Sequence, residues 1–259
     1  MKARFEEYAH RYPNAVMTRR EGILELRLHT GGGPLVWGHQ PHSQLGHCFA
    51  DIGSDPGNRV VILTGTGAEF CARLDGSWVG EFSPQVWDEI FHDARRLLAN
   101  LLDVEVPVIG AVNGKASIHA ELALLSDVVL AAESAVFQDA PHFRRGTVPG
   151  DGVHVIWPYL IGPIRARYFL LTGQKLTAEE GLRLGFVNEV LPDEQLLGRA
   201  WELARELAHQ PDLTLRYTRA ALTRQIKRML HEDLGFGLAL EGLAAHVSWP
   251  RGSRAQGPA

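Results

Sequence analysis

The sequence predicts an α/β protein: a core of parallel strand–helix–strand units followed by a helical C-terminal region. Three observations carry this expectation. The runs RVVILT (59–64), VPVIGAV (106–112) and DVVLAA (127–132) are continuously apolar over the length of a strand buried on both faces. Helical stripes separate them, and strands alternating with helices imply parallel sheets with right-handed crossovers. After about residue 150, helical signals dominate.

In chain order, ILELRLH (23–29) sets Leu24, Leu26 and Leu28 on one side of a half-buried strand, and PLVW (34–37) makes a second. Leu45, Cys48, Phe49 and Ile52 recur at helical spacing within 42–52. The strongest periodic segment is 86–102, where Trp87, Ile90, Phe91, Ala94, Leu97, Leu98 and Leu101 mark one stripe. Asn113-Gly114 reads as a turn and 119–126 as helical. Further helices are expected at 152–161, 164–172, 177–184, 193–209 and 212–245, the last broken near Gly235. The expected organisation is a core over 1–195, a helical region over 196–248 and a flexible tail over 249–259.

Composition narrows the function classes. Hydrophobic content of 45% in 259 residues supports a buried core. A net charge of -4 argues against a nucleic-acid groove, so Arg216, Arg219, Arg224, Lys227 and Arg228 read as one solvated helix face. Two cysteines, Cys48 and Cys71, cannot build a disulfide framework, and a cytoplasmic location is expected. No stretch reaches the about 18 apolar residues of a membrane span. GTG at 65–67 is a turn and not a phosphate loop, because no Gly-Lys-Ser/Thr follows.

The chemistry concentrates in APHFRRGTVPGDGVHVIWP (140–158). Here His142 precedes Asp151 across a Gly/Pro-rich turn, offering an imidazole base and a carboxylate able to orient it. The plainer alternatives are a surface histidine and a helix N-cap. His119 could equally face solvent at a helix start, Trp37 could be core, and Glu241 could lie on a solvated helix face. His39 and His42, with His47 close by, have a metal-ligand spacing that no nearby acidic or Cys cluster completes.

The segments VVILTGTGAEFCARLD, VPVIGAVNGKASIHAELALLSDVVLAAESAVF, GTVPGDG and LLTGQKLTAEEGLRLGFVNEVLP, in order between residues 60 and 192, resemble the crotonase (enoyl-CoA hydratase/isomerase) superfamily. That resemblance implies a ββα spiral core, a helical C-terminal part, and trimers or dimers of trimers. The departures are specific. The glycines expected after Asn113-Gly114 are replaced by Lys115-Ala116-Ser117-Ile118-His119-Ala120, and Arg73 stands where a glycine faces CoA. Glu121 falls at one hydratase carboxylate position, but His142 occupies the other.

LVW followed by His42, then His119, PHF with His142, VPGDG with Asp151, VHVIWP, and ALEGLAA with Glu241 resemble instead the β-diketone hydrolases of that superfamily. The resemblance implies hydrolytic carbon–carbon cleavage of an alicyclic 1,3-diketone, with no cofactor and no metal. His142 and Asp151 would then activate water, and His119 would hold developing charge. Trp37, His42, Glu241 and Leu74 would contact the small-molecule substrate. Two rivals follow from the same residues: a CoA-dependent hydratase or hydrolase that uses Glu121, and a non-catalytic trimeric binding protein.

Overall fold

The computed structural model describes residues 2–77 and 82–249; apart from Trp249, the segment expected to form a flexible tail lies outside the described residues. Helix α1 (Phe5–Tyr8) precedes the hairpin β1 (Ala15–Arg20) and β2 (Ile23–Leu28), then β3 (Val36–Trp37) and α2 (His39–Ser54). The core continues through β4 (Val60–Thr64), β5 (Glu69–Cys71), β6 (Arg73–Leu74) and α3 (Pro84–Leu102). Next come β7 (Val108–Val112), β8 (Lys115–Ala116), α4 (Glu121–Leu124), β9 (Val128–Ala132) and β10 (Val136–Phe137). The remainder is α5 (Val153–Ile161), α6 (Pro163–Thr172), β11 (Leu176–Thr177), α7 (Ala178–Leu184), β12 (Glu189–Leu191), α8 (Leu196–Ala208) and α9 (Asp212–Ser248).

Successive turns of the core lay a strand in each of two sheets. The longer strands enter the sheet β1-β2-β4-β7-β9-β12 and the shorter ones the sheet β11-β10-β8-β5. From β2 to β12 every pairing in the first sheet is parallel, as expected; only β1–β2 and β10–β11 run antiparallel. The apolar runs are continuous because these strands are covered on both sides. Val61 and Leu63 of β4 face the main core, while Val60 and Ile62 join Ile109, Ala111, Leu130 and Ala132 beneath Leu196, Ala200 and Ala204 of α8.

Helix α3 starts where Ser83 accepts from the Val86 N–H, with Pro84 in the first turn. Its apolar stripe buries Ile90, Ala94, Leu97, Leu98 and Leu101. Two helical expectations need correction. The segment 119–126 holds only the single turn Glu121–Leu124. Helix α9 runs unbroken through Gly235, because its tertiary contacts outweigh the weak helix propensity of one glycine.

The solvated basic face also needs correction at one position. Arg219 is buried, donating to the carbonyls of Val104 and Leu101 and pairing with Asp127 at 2.6 Å. It thereby ties α9 to the turn that ends α3, supplying a donor to the Val104 carbonyl and a further one to the Leu101 carbonyl, which already accepts from the Val104 N–H. Arg219→Ala removes the cation from Asp127 and this donor from the Val104 carbonyl, so a loss of about 3–5 kcal/mol in urea-unfolding free energy is expected. A loss within 1 kcal/mol, on the scale of an exposed pair, would show the contact to be incidental.

One close approach positions the C-terminal helix. A Cβ on Gly150 would lie 2.2 Å from the Gly237 carbonyl oxygen, and one on Gly237 would lie 2.5 Å from the Gly150 carbonyl oxygen. With neither Cβ present, α9 lies against the loop that carries Asp151. That contact brings Glu241, one turn further along, to the same place.

Candidate active site

Three loops and one helix converge. Beyond β8 the chain turns back: the N–H groups of Ser117 and Ile118 both donate to the Cys71 carbonyl, which seats the loop carrying His119. The loop after β10 lies beside it, because Gln138 and Ala140 donate to the carbonyls of Ala116 and Ser117. That second loop supplies Asp139 and His142, the third supplies Asp151 just before α5, and α9 supplies Glu241.

Trp37, His42, Leu74, His119, His142, Asp151 and Glu241 all line one cavity of about 280 Å³. Trp87, Ile90, Ala94 and Leu238 provide apolar wall. The volume sits just below the about 300–1,000 Å³ usual for small-molecule sites, which suits a compact apolar ligand.

His142 is buried, and its Nδ1–H donates to Asp139 Oδ1 at 2.5 Å. Its Nε2 is 3.4 Å from Asp151 Oδ2 and 3.6 Å from Glu241 Oε1. The sequence assigned the orienting carboxylate to Asp151, but the short bond that sets the ring and its tautomer is made by Asp139. Asp139 carried no signal of its own: its distance from His142 along the chain matches no motif, and only the loop fold joins them. Asp151 caps nothing, since Gly152 holds the N-cap position of α5 and no side chain caps it.

His119 adopts a left-handed backbone conformation, with φ of 48°. For a residue bearing a Cβ this costs about 1–2 kcal/mol. Two contacts hold it there: the ring packs on Trp37, tilted by 41° with centroids 3.9 Å apart, and Nδ1 bonds the buried carboxylate of Glu121. Glu121 therefore lies behind His119 and is absent from the cavity lining. His42 meets Trp37 edge-on at 5.9 Å, and its Nε2–H donates to the Ile90 carbonyl. The HxxH spacing does not assemble a metal cluster around His42. The described groups with ligand atoms close enough to share an ion are His119–Glu121–Asp151 and His142–Asp151–Glu241.

Burial and charge set the protonation states. Burial disfavours the His142 cation, but the carboxylates of Asp151 and Asp139 outweigh it and hold its pKa well above 6.5. Burial likewise works against the His119 cation, and Glu121 overcomes it, so that pKa is also raised. Asp151 goes the other way: the neighbouring His142 overrides the cost of burial and holds it far below the usual carboxylate range. Burial lifts Glu241 to about 7 and, with His119 nearby, lowers His42 to about 4. The cavity thus presents two imidazolium-prone rings, a carboxylate, and an acid poised near neutrality. Trp37 Nε1, Asp151 Oδ1 and Glu241 Oε2 are buried without a hydrogen-bond partner among the described residues.

Comparison with known proteins places this geometry. Residues 39–242 match the family model described as enoyl-CoA hydratase/isomerase. A β-diketone hydrolase from the cyanobacterium Anabaena sp. PCC 7120, solved bound to (S)-3-oxocyclohexyl acetic acid, superposes with a TM-score of 0.91. It is 51% identical, over 92% of this chain and 96% of that one. Among curated proteins, carnitinyl-CoA dehydratase of Salmonella arizonae is 32% identical over 89% of this chain and 87% of its own length. The Arabidopsis thaliana protein named "Probable enoyl-CoA hydratase 1, peroxisomal" is 30% identical over 89% of this chain and 88% of its own length.

Proposed function

This chain belongs to the enoyl-CoA hydratase/isomerase (crotonase) family, and we propose that within it the protein is a β-diketone hydrolase. The proposed reaction is a retro-Claisen opening of a cyclic or bicyclic 1,3-diketone by water, giving a keto acid. One observation carries the reading: His142, its Nδ1 held by Asp139, turns Nε2 into a small cavity that also holds His119, Asp151 and Glu241. The sequence departures, which resemble 6-oxocamphor hydrolase, and the Anabaena hydrolase support it independently. A ring ketone bearing a carboxymethyl arm, as in the acid bound to that relative, is what hydrolytic opening of a bicyclic 1,3-diketone leaves.

In this mechanism His142 Nε2 takes a proton from water bound beside it and Asp151, and the hydroxide adds to one carbonyl. His119, kept cationic by Glu121, donates from Nε2 to the developing oxyanion. The carbon–carbon bond breaks with its electron pair passing to the second ketone as an enolate. The indole N–H of Trp37 faces that oxygen, and Glu241 returns a proton to carbon. His42, neutral and bonded to Ile90, braces Trp37, while Leu74 packs on the ring system. The proton that His142 took from water passes to Glu241, 3.6 Å away, and replaces the one given to carbon. The net addition is a hydrogen to carbon and a hydroxyl to the acyl group, so no electron acceptor is required.

A homotrimer or dimer of trimers belongs to the same proposal. Exposed apolar residues such as Ile164, Tyr168, Leu243 and Val247 offer surface for such contacts. No described helix is long and apolar enough to cross a membrane.

The test is loss of diketone absorbance with the protein alone, read against pH. The active form has His142 neutral and Glu241 protonated. His142 faces Asp139 from its own loop, Asp151, His119 and, from α9, Glu241, so the limbs belong to a coupled set. With His142 raised and Glu241 near 7, the bell in kcat/KM is expected to centre above 6.5. A flat profile from about pH 5 to 8 contradicts a histidine base.

The CoA-dependent reading has the names of the curated relatives in its favour. Against it, Glu121 is turned away from the cavity behind His119, and Arg73 at the CoA-facing position is tied to Glu69 at 2.7 Å. Micromolar binding of an acyl-CoA would favour that rival.

A further inference from the structure

We propose that His142, Asp151 and Glu241 form a binding site for Zn²⁺ or a similar borderline divalent ion, and that its occupancy switches the hydrolase off. The second half of this statement rests on the hydrolase reading; the first half does not. His142 Nε2 is separated from Asp151 Oδ2 by 3.4 Å and from Glu241 Oε1 by 3.6 Å, and all three ligand atoms lie within 4.8 Å of one another. These separations are long for charge-assisted hydrogen bonds. The two distances from Nε2 match a tetrahedral ion whose bonds of about 2.0–2.2 Å set its ligand atoms roughly 3.3–3.6 Å apart.

Two further features point to a cation. Glu241 is buried and lines the cavity, yet its second oxygen has no partner among the described residues; Asp151 Oδ1 is in the same state. Burying two carboxylates side by side is costly, and a dication shared between them removes the repulsion. The other feature is Asp139. Its bond to Nδ1 directs the Nε2 lone pair at the cluster, the carboxylate–histidine arrangement that supports metal-binding imidazoles.

One imidazole nitrogen and two carboxylate oxygens suit zinc, cobalt or nickel rather than calcium or magnesium, which demand more oxygen ligands. The neighbouring group of His119, Glu121 and Asp151 is the poorer host. Its His119 and Glu121 atoms already bond each other, and Asp151 cannot serve two ions at full strength.

Inhibition follows from atom accounting. The Nε2 lone pair that would accept a proton from water is the pair that would bind zinc, and Glu241 bound to metal has no proton to return to carbon. Occupancy by zinc and turnover through His142 exclude each other.

The experiment titrates Co²⁺ into protein first treated with chelator, without substrate. A saturable visible spectrum of low-coordinate cobalt at one equivalent is expected, displaced by Zn²⁺. His142→Ala abolishes it, and Asp139→Asn weakens cobalt binding about 10- to 100-fold. His119→Ala leaves the spectrum in place. In parallel, Zn²⁺ inhibits diketone hydrolysis and chelator restores it. Absence of a saturable spectrum, or its survival in His142→Ala with the Glu241→Gln variant also unaffected, overturns the site. Stimulation of hydrolysis by zinc overturns the switch. If cobalt binds as described but no diketone is cleaved, the hydrolase reading falls and the metal site stands.

Discussion

His142→Ala lowers kcat on a cyclic 1,3-diketone by about 10²- to 10⁴-fold, the scale of a positioned general base. Only Nε2 of this ring faces the cavity, since Nδ1–H is spent on Asp139 at 2.5 Å. Asp151 is held ionised and hydrogen-bonds poorly to the ring, so it can position water but is far too weak a base to replace an imidazole. The raised pKa of His142 makes the neutral form scarcer and each neutral molecule more basic. Asp139→Asn separates these effects. Without the Asp139 charge the pKa of His142 drops, so the centre of the kcat/KM bell is expected to shift to lower pH while kcat falls. Near-parental kcat in His142→Ala removes this residue from the mechanism. An unshifted profile in Asp139→Asn reduces Asp139 to packing.

His119→Ala is expected to cost about 10²–10³ in kcat, the usual effect of removing one donor to a developing oxyanion. The ring is preorganised at some expense: its backbone sits at positive φ, and packing on Trp37 and the bond to Glu121 hold it. Glu121→Gln is expected to lower kcat less than His119→Ala, because a neutral amide still orients the ring but no longer favours its cation. The CoA-dependent rival expects Glu121→Gln to be more damaging than His142→Ala. A His119→Ala defect confined to KM assigns the ring to substrate placement rather than charge stabilisation.

The fold was legible because its signals are local and repeated. The runs containing Val60–Thr64, Val108–Val112 and Val128–Ala132 have the length of strands, and alternating stripes such as that of α3 complete the βα pattern. The site was legible mainly through resemblance. Taken alone, His119 and Glu241 looked like solvated positions, yet Glu241 is buried and His119 lies packed against Trp37. Arg219 misled for the same reason: a charge on a helix reads as solvated until the carbonyls and carboxylate of another segment are packed against it.

By itself the sequence determined the order of the buried parallel strands and the longer helices, the family, and which imidazoles and carboxylates stand at its altered positions. Periodicity and motif order need only neighbours along the chain, so they survive in one dimension. Tertiary structure alone decided that Asp139 rather than Asp151 grips Nδ1 of His142, that Glu121 stands behind His119, and that Glu241 arrives from α9. These contacts span loops and a distant helix, brought together where Gly150 and Gly237 let two backbones touch. Protonation follows from burial and from charges a few ångströms away, and neither quantity exists until the chain has folded.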